Sequence, residues 1–378
     1  MTGTMRAARW HGRGDVRVED VPIPAIGPGE VLLRVSWCGI CGTDVEEYRD
    51  GPVVIPVDRP NALTGQRAPI TLGHEFAGEV AEIGADVEGL AVGDRVVPEV
   101  CHFCGECWYC RRHEYALCVS WVTIGFHGDG GLAEYVRVPA RMCVRLPDEI
   151  ADDEAALIEP TEVAVRAVRK AGIRLGDSVA IVGDGAVGLI TLQVARAAGA
   201  TTAILVGHRA ARLEIGRRLG ADAALDSRDP AWLDAVRDLT GGLGCDAAIE
   251  CGGRSEAIAD SIAATRKGGT VVLLAVIGVP VPVDTWSIVA GERTVIGSVQ
   301  HHFDEDLPIA VRLMATGRVD VRPLISRRIS LERVVSDGFD AAGGSDIKVL
   351  VSTRPADGID PDGMAPGGRG ASAGRGER

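Results

Sequence analysis

Short runs of alternating apolar and polar residues dominate the first part of this chain. "EVLLRVSW", "GEVAEIG" and "LAEYVRVP" each put every second side chain on one face, as a half-buried strand requires, and Gly- and Pro-containing turns separate them. The texture holds to about Leu157 and predicts a mostly β domain over residues 1–159. From about Pro160 to Val299 the pattern changes. The apolar runs "SVAIVG", "AILVG", "CDAAIE", "TVVLLAV" and "TVIGSV" read as buried strands, with the helical stretches "AVGLITLQVARAAG" and "AARLEIGRRLG" between the first of them. Repeated strand–helix units over 160–299 predict a doubly wound parallel sheet with helices on both faces, so the fold class is α/β. Residues 300–352 add a helix, "LPIAVRLMATG", and a strand, "IKVLVS"; too short to fold alone, this segment is expected to return to the first domain. Residues 353–378 are rich in Gly, Pro and Arg, hold almost no large apolar side chains, and are expected to be disordered.

Composition narrows the function. The chain has 378 residues, 46% hydrophobic and 25% charged, enough to fill the cores of two domains. A formal net charge of −13 argues against binding a nucleic-acid backbone, which calls for a basic face. No apolar run reaches the roughly 20 residues of a membrane-spanning helix, and the opening "MTGTMRAARW" lacks the apolar stretch of a signal peptide. The expected setting is the cytoplasm, with a small molecule as partner and neither nucleic acid nor membrane. In that reducing compartment the 10 cysteines read as metal ligands or core thiols before disulfides.

The run "VAIVGDGAVGLITLQVA" sets Gly183, Gly185 and Gly188 in a G-x-G-x-x-G pattern between an apolar strand and a helix, with Val187 inside the turn. Glycines there let the backbone turn tightly and approach a pyrophosphate, while the helix N-terminus supplies free N–H groups and a favourable dipole. This strand-and-helix context makes the pattern a Rossmann dinucleotide fingerprint and not merely a Gly-rich turn. An NAD site carries an acidic residue about 20 residues further on, where it holds the ribose 2′-hydroxyl. Here the corresponding strand end reads "LVGHRAARLE": His208 and Arg209 stand in place of the acid, and Arg212 follows one helical turn later. Without a carboxylate a 2′-phosphate is not repelled, and guanidinium groups bind it through charge-assisted hydrogen bonds, so NADP(H) is favoured over NAD(H). The rival reading makes these arginines solvated helix-start residues.

Two groups of metal-ligand residues stand out. Cys104, Cys107, Cys110 and Cys118 follow a C-x2-C-x2-C-x7-C spacing in the lobe 101–118, tight enough to close a tetrahedral zinc with no room for substrate, and so read as a structural site. Cys101, His102 and His113 fall outside that pattern and read as bystanders. Separately, Cys41 in "CGICGTDVEEY", His74 and Glu75 in "TLGHEFAGEV" and Glu159 in "ALIEPTEVA" offer a thiolate, an imidazole and carboxylates. Brought together, they would suit a zinc with one position open to water or substrate. Taken singly, they are a buried thiol, a core histidine and surface carboxylates.

In this order and spacing, "GICGTD", "GHEFAGEV", "GDRVV", the four-cysteine lobe, "IEP" and "GDGAVG" resemble the zinc-dependent medium-chain dehydrogenase/reductase (alcohol dehydrogenase) family, over nearly the whole chain to about Ser352. The insert "YRDGPVVIPVDRPNALTGQRAPITLGHEF" resembles its butanediol branch, which has the sorbitol-type polyol dehydrogenases as neighbours. The resemblance implies a GroES-like catalytic domain beside the Rossmann domain, and two Zn2+ per subunit, one catalytic and one structural. It implies hydride exchange between a nicotinamide cofactor and a secondary alcohol or ketone: a vicinal diol, a hydroxyketone or a polyol. It assigns the catalytic zinc to Cys41, His74 and a glutamate that is either Glu75 or Glu159, and makes Thr43 the hydroxyl that hands on the substrate proton. Many members carry a histidine five residues after the zinc cysteine as the outer end of that relay. Here the position is Glu46, whose ordinary pKa of about 4.3, against about 6.5 for histidine, changes the expected pH dependence; Glu47 is a further candidate. The strand "TVIGSVQ" resembles the family's subunit-pairing strand, which implies a homodimer or homotetramer.

His301 and His302 in "GSVQHHFDEDL" are candidates to line the substrate cleft but read more readily as a pair of surface histidines after a strand, and Cys38, Cys143, Cys245 and Cys251 as small core residues. Two other classes stay in view. A threonine, sugar or cyclitol dehydrogenase would keep every motif and differ only in pocket residues. A non-catalytic zinc-binding redox sensor would have no need of Cys41, His74, Glu159 and Thr43 together.

Overall fold

The computed structural model describes residues 1–354, so the tail expected to be disordered lies, from position 355 on, outside the described residues. The strand Glu30–Gly39 is the hub of the first unit. It is buried along most of its length because it pairs antiparallel with Glu75–Ile83, Tyr135–Pro139 and Lys348–Ser352. These strands belong to a seven-stranded sheet that runs Cys143–Arg145, Arg95–Pro98, Glu75–Ile83, Glu30–Gly39, Lys348–Ser352, Ile325–Ser330, with Tyr135–Pro139 off that path. A three-stranded sheet of Thr4–Gly12, Asp15–Pro22 and Ile70–Thr71 lies against it, and Trp10, Leu33, Leu72, Phe76 and Phe339 fill the core of this unit. The segment after position 300 therefore contributes two strands to the first unit's main sheet.

The second unit is a six-stranded sheet, parallel throughout, in the order Ala223–Asp226, Thr202–Gly207, Ser178–Val182, Cys245–Glu250, Thr265–Leu273, Thr294–Gly297. In chain order this is 3-2-1-4-5-6, the doubly wound Rossmann arrangement. Its chain reversal lies between Ser178–Val182 and Cys245–Glu250, at whose carboxyl ends the Gly183–Gly188 turn sits. Ala223–Asp226 has no counterpart in the sequence reading: it is a four-residue edge strand, mostly half-buried, with too little apolar pattern to register.

The change of texture near Pro160 falls inside one continuous helix, Ile158–Ala171. A proline in the first turn is tolerated because the N–H it lacks has no intrahelical partner there. Ile158, Ala164, Val165 and Val168 pack in a single core with Ala77 and Val97 of the first unit and Ile181, Leu189 and Ile190 of the second. That shared core fixes the two units against each other, and Glu159, in the helix's first turn, stands at their junction. No described helix is long and apolar enough to cross a membrane.

Candidate active site

Cys41 caps the helix Gly42–Asp50. Its extended backbone (φ −89°, ψ 156°) precedes the first turn, and its N–H donates to Asp44 Oδ2 at 2.9 Å. Strand register does the rest: Glu75 stands opposite Gly39, two positions before Cys41, and His74 precedes it. Cys41, His74 and Glu75 thus each bring one ligand atom within 4.8 Å of the others. Asp44 Oδ1 lies 3.4 Å from His74 Nδ1, and both atoms are buried with no hydrogen-bond partner among the described residues. An imidazole oriented by a carboxylate through one nitrogen presents the other as a metal ligand. Burial resists charging His74, but Asp44 and Cys41 outweigh it and raise its pKa well above the ordinary imidazole range. A partly buried thiol with a buried imidazole and carboxylate converging this closely fit a zinc ion.

Glu75 is not alone. Lys348 Nζ donates to Glu75 Oε1 at 2.7 Å and Oε2 at 2.6 Å, and to the Ile40 carbonyl at 3.1 Å. The two side chains reach each other from the strands flanking Glu30–Gly39, across Gly39. A Cβ on Gly39 would lie 2.2 Å from Glu75 Oε2, so only glycine leaves the carboxylate its place. Burial works against the Lys348 charge, but Glu75 and Cys41 outweigh it and raise the lysine's pKa. Burial also raises the Glu75 pKa, and Lys348 opposes that shift. We assign a charged pair at neutral pH, whose carboxylate keeps lone pairs free for a cation.

The other sequence candidates are placed as follows. Glu159 is outside the Cys41, His74 and Glu75 group; its Oε1 lies 3.3 Å from His301 Nε2, while its charge acts on both Glu75 and Lys348. Thr43 Oγ1 lies 3.7 Å from Cys41 Sγ. Glu46 is half-buried on the same helix, and a Cβ on Gly278 of the nucleotide unit would sit 3.9 Å from its Oε1. Glu47 is fully buried and accepts the backbone N–H groups of Val53, Val54 and Ile55, so it holds the following loop and has no free oxygen for a relay. A cavity of about 290 Å³ opens beside Cys41, bounded by the helix Gly42–Asp50 and by Gly343, Asp346 and Ile347 of the return segment.

At the nucleotide end, Gly183 has φ +132°, and a Cβ there would lie 2.7 Å from the Cys251 carbonyl carbon. One on Gly188 would meet the Gly183 carbonyl oxygen at 2.0 Å, so both positions need glycine for close packing. Gly185 differs: a Cβ there meets nothing within 4 Å, and Gly185 caps the helix Ala186–Ala197 without a side-chain hydrogen bond. The helix Ala186–Ala197 therefore starts beside open space, as a pyrophosphate cradle requires. Asp184, unremarked in the sequence, is buried and accepts the N–H groups of His208 (2.9 Å) and Arg209 (2.7 Å), which fixes the turn after the second strand. Arg209 is half-buried, with one contact of 3.5 Å to the Gly343 carbonyl. Arg212 is buried and donates to the Asp346 carbonyl, which ties it to the return segment.

In the cysteine lobe, sulfur–sulfur distances are 3.5 Å (Cys104–Cys118, Cys107–Cys110) and 3.9 Å (Cys104–Cys110). Zinc–sulfur bonds of about 2.3 Å in a tetrahedron give a spacing of about 3.8 Å, whereas a disulfide needs about 2.05 Å. Backbone N–H groups of Cys110 and Val119 hold the Cys107 thiol down at about 6, in thiolate form at neutral pH.

Residues 27–148 match the family description "Alcohol dehydrogenase GroES-like domain" and residues 186–316 match "Zinc-binding dehydrogenase". The (R,R)-butanediol dehydrogenase of Bacillus subtilis (strain 168) is 36% identical over 352 residues, covering 93% of this chain and all of the relative. The chain belongs to the zinc-dependent medium-chain dehydrogenase/reductase family. Human sorbitol dehydrogenase is 34% identical, covering 92% of this chain and 95% of that one. The crystal structure of a putative zinc-binding dehydrogenase from Sinorhizobium meliloti 1021 bound to NADP superposes with a TM-score of 0.85 at 35% identity, covering 93% of this chain and 99% of that one. The match extends to the butanediol and polyol branch, and this medium-chain dehydrogenase is a zinc-type, NAD(P)-dependent alcohol dehydrogenase.

For this family member the sequence reading missed Lys348, Asp44 and Asp184, none of which carries a local motif signal. It also misplaced His301, which is not a surface histidine: it is 3% exposed and lies against Glu99, Glu159 and Cys101. Cys101, read as a bystander, is buried beside it, whereas His113 is exposed and bonded to the Tyr115 hydroxyl. Cys38 and Cys245 are core residues as expected, while Cys143 and Cys251 are only partly buried.

Proposed function

We propose that this dehydrogenase prefers NADP(H), holds one catalytic and one structural zinc ion in each chain, and interconverts a vicinal diol and its hydroxyketone. The observation that carries the reading is the meeting of Cys41, His74 and Glu75 beside Thr43, with a cavity next to Cys41 that also borders Gly343, whose carbonyl Arg209 contacts. The butanediol and sorbitol relatives support the diol and polyol class. Cys41, His74 and Glu75 are the residues that would hold the catalytic ion, and Cys104, Cys107, Cys110 and Cys118 the structural one. When bound, the zinc supplies Lewis acidity at the substrate oxygen and the nicotinamide accepts or returns the hydride.

The chain's own residues do the rest. Lys348 keeps Glu75 charged and oriented. Thr43 Oγ1 takes the proton of the substrate hydroxyl, and Glu46, on the same helix and turned towards the nucleotide unit, is the next acceptor. The N–H groups from Val187 and Gly188 hold the pyrophosphate. His208 and Arg209 take the 2′-phosphate, since Asp184 spends its charge on their backbone and Arg212 is engaged elsewhere.

The test is a matched kinetic comparison of NADPH with NADH. Arg209→Asp is expected to lower kcat/KM with NADPH by about tenfold or more, equivalent to roughly 1.4 kcal/mol or one charge-assisted hydrogen bond. With NADH the change stays within about twofold. An unchanged NADPH/NADH ratio contradicts the cofactor assignment.

A cytoplasmic homodimer or homotetramer completes the reading. The ten free cysteines support a reducing compartment. The strand Thr294–Gly297 is an open sheet edge, and Val276, Val279, Trp286 (75% exposed) and Val289 form an apolar stretch near it in sequence. Light scattering is expected to give two or four chains per particle, and a monomer at micromolar concentration contradicts it.

A further inference from the structure

We infer that Glu99, Cys101 and His301 form a third cation site for a divalent transition metal such as zinc, separate from the Cys41 group and the cysteine lobe. Glu99, Cys101 and His301 each bring one ligand atom within 4.8 Å of the others. Among the described residues only the Cys41 group and the cysteine lobe meet the same spacing. The residues come from distant segments: Glu99 and Cys101 follow the strand Arg95–Pro98, His301 lies beyond Thr294–Gly297, and Glu162 is on the helix Ile158–Ala171.

The His301 ring is over-subscribed. Its Nδ1 lies 2.8 Å from Glu99 Oε2 and 3.2 Å from Glu162 Oε1; its Nε2 lies 3.3 Å from Glu159 Oε1 and 3.7 Å from Cys101 Sγ. An imidazolium has two N–H groups for these four acceptors. Glu162 Oε1, on a side chain 1% exposed, is left without a hydrogen-bond partner. No Lys or Arg among the described residues pairs with Glu99, Glu159 or Glu162; burial and the neighbouring Glu99 push the Glu162 carboxyl well above the usual carboxylate range, and even with Glu162 neutral two carboxylates face one imidazolium. A buried excess of negative charge is discharged by protons or by a cation.

The donor set favours the cation. Thiolate, imidazole and carboxylate together select a zinc-like ion over magnesium or calcium. Bonds of about 2.0–2.3 Å in a tetrahedron space their donors by about 3.3–3.8 Å; an ion on His301 Nε2 finds Cys101 Sγ at 3.7 Å, within that range, with Glu99 close to both, while Nδ1 keeps its N–H for the carboxylates on its own side. Binding releases the Cys101 thiol proton. The ion clamps Glu99 and Cys101 of the first unit to the chain leaving the last strand of the second. The site itself is independent of the dehydrogenase reading; only the expected total rests on the catalytic and structural ions proposed above, whereas the loss of one ion between parent and variant does not.

The test is metal content. The full-length protein, saturated with Zn2+ and then dialysed against zinc-free buffer, is expected to retain three zinc ions per chain by inductively coupled plasma mass spectrometry. Cys101→Ser and His301→Gln are each expected to retain two, with NADPH binding intact as the check on folding. If the parent protein saturates at two, or if both variants retain as many ions as the parent, the site is a proton-filled hydrogen-bond network and the proposal is wrong. The parent stoichiometry decides even if a variant fails to fold.

Discussion

Lys348→Met is expected to destabilise the protein by roughly 3–5 kcal/mol, the cost of leaving one partner of a buried ion pair unpaired. The lysine and Glu75 are 5% and 2% exposed, and Lys348 is the only Lys or Arg that ion-pairs with that carboxylate among the described residues. Glu75→Gln alone strands the ammonium and should cost a similar amount. The double variant Lys348→Met/Glu75→Gln removes both charges and should recover most of the loss, so the two positions couple by about 2 kcal/mol or more in a double-mutant cycle. Chemical denaturation of the four proteins measures this. Simple additivity of the two single costs would mean that the pair is not ionic in the folded protein.

Cys41→Ala is expected to lower kcat/KM by about a thousandfold, roughly 4 kcal/mol of lost transition-state stabilisation, and to remove one zinc per chain. Nicotinamide binding should hardly change, because the Gly183–Gly188 cradle is on the other unit. Cys107→Ser, by contrast, should also cost one zinc and lower the resistance to heat, while the folded fraction keeps its kcat. Metal content and steady-state kinetics on the two variants separate a chemical site from a structural one. Equal losses of kcat would contradict the division of labour between the two cysteine groups.

How much of this was legible in the sequence follows from what kind of contact each feature needs. The parallel sheet was readable because strands such as Ser178–Val182 and Thr202–Gly207 are continuous apolar runs, buried on both faces. The nucleotide turn and the cysteine lobe were readable because their residues are close in sequence, and local spacing nearly determines local geometry. Ile158–Ala171 was not readable as one element: Pro160 looks like punctuation, although a proline in a helix's first turn interrupts nothing.

The long-range partners were invisible for a different reason. Lys348 and Glu75 are 273 positions apart, and Cys101 and His301 are 200 apart. Their meeting depends on the register of three neighbouring strands in the first case and on the packing of both units around one helix in the second. No spacing rule carries that information. The choice between Glu75 and Glu159 shows the same limit: both are plausible carboxylates by motif, and only the pairing of Glu75 with Gly39 brings one of them to Cys41 and His74.

The most direct measurement is of hydride transfer itself, with zinc-loaded protein, NADP+ and butane-2,3-diol deuterated at the carbinol carbons. Reduced nicotinamide carrying deuterium at C4 should appear, stop on zinc chelation, and resume when Zn2+ is restored. No reduction of either nicotinamide by diols, polyols or simple secondary alcohols, in protein shown to hold its zinc, would contradict the account.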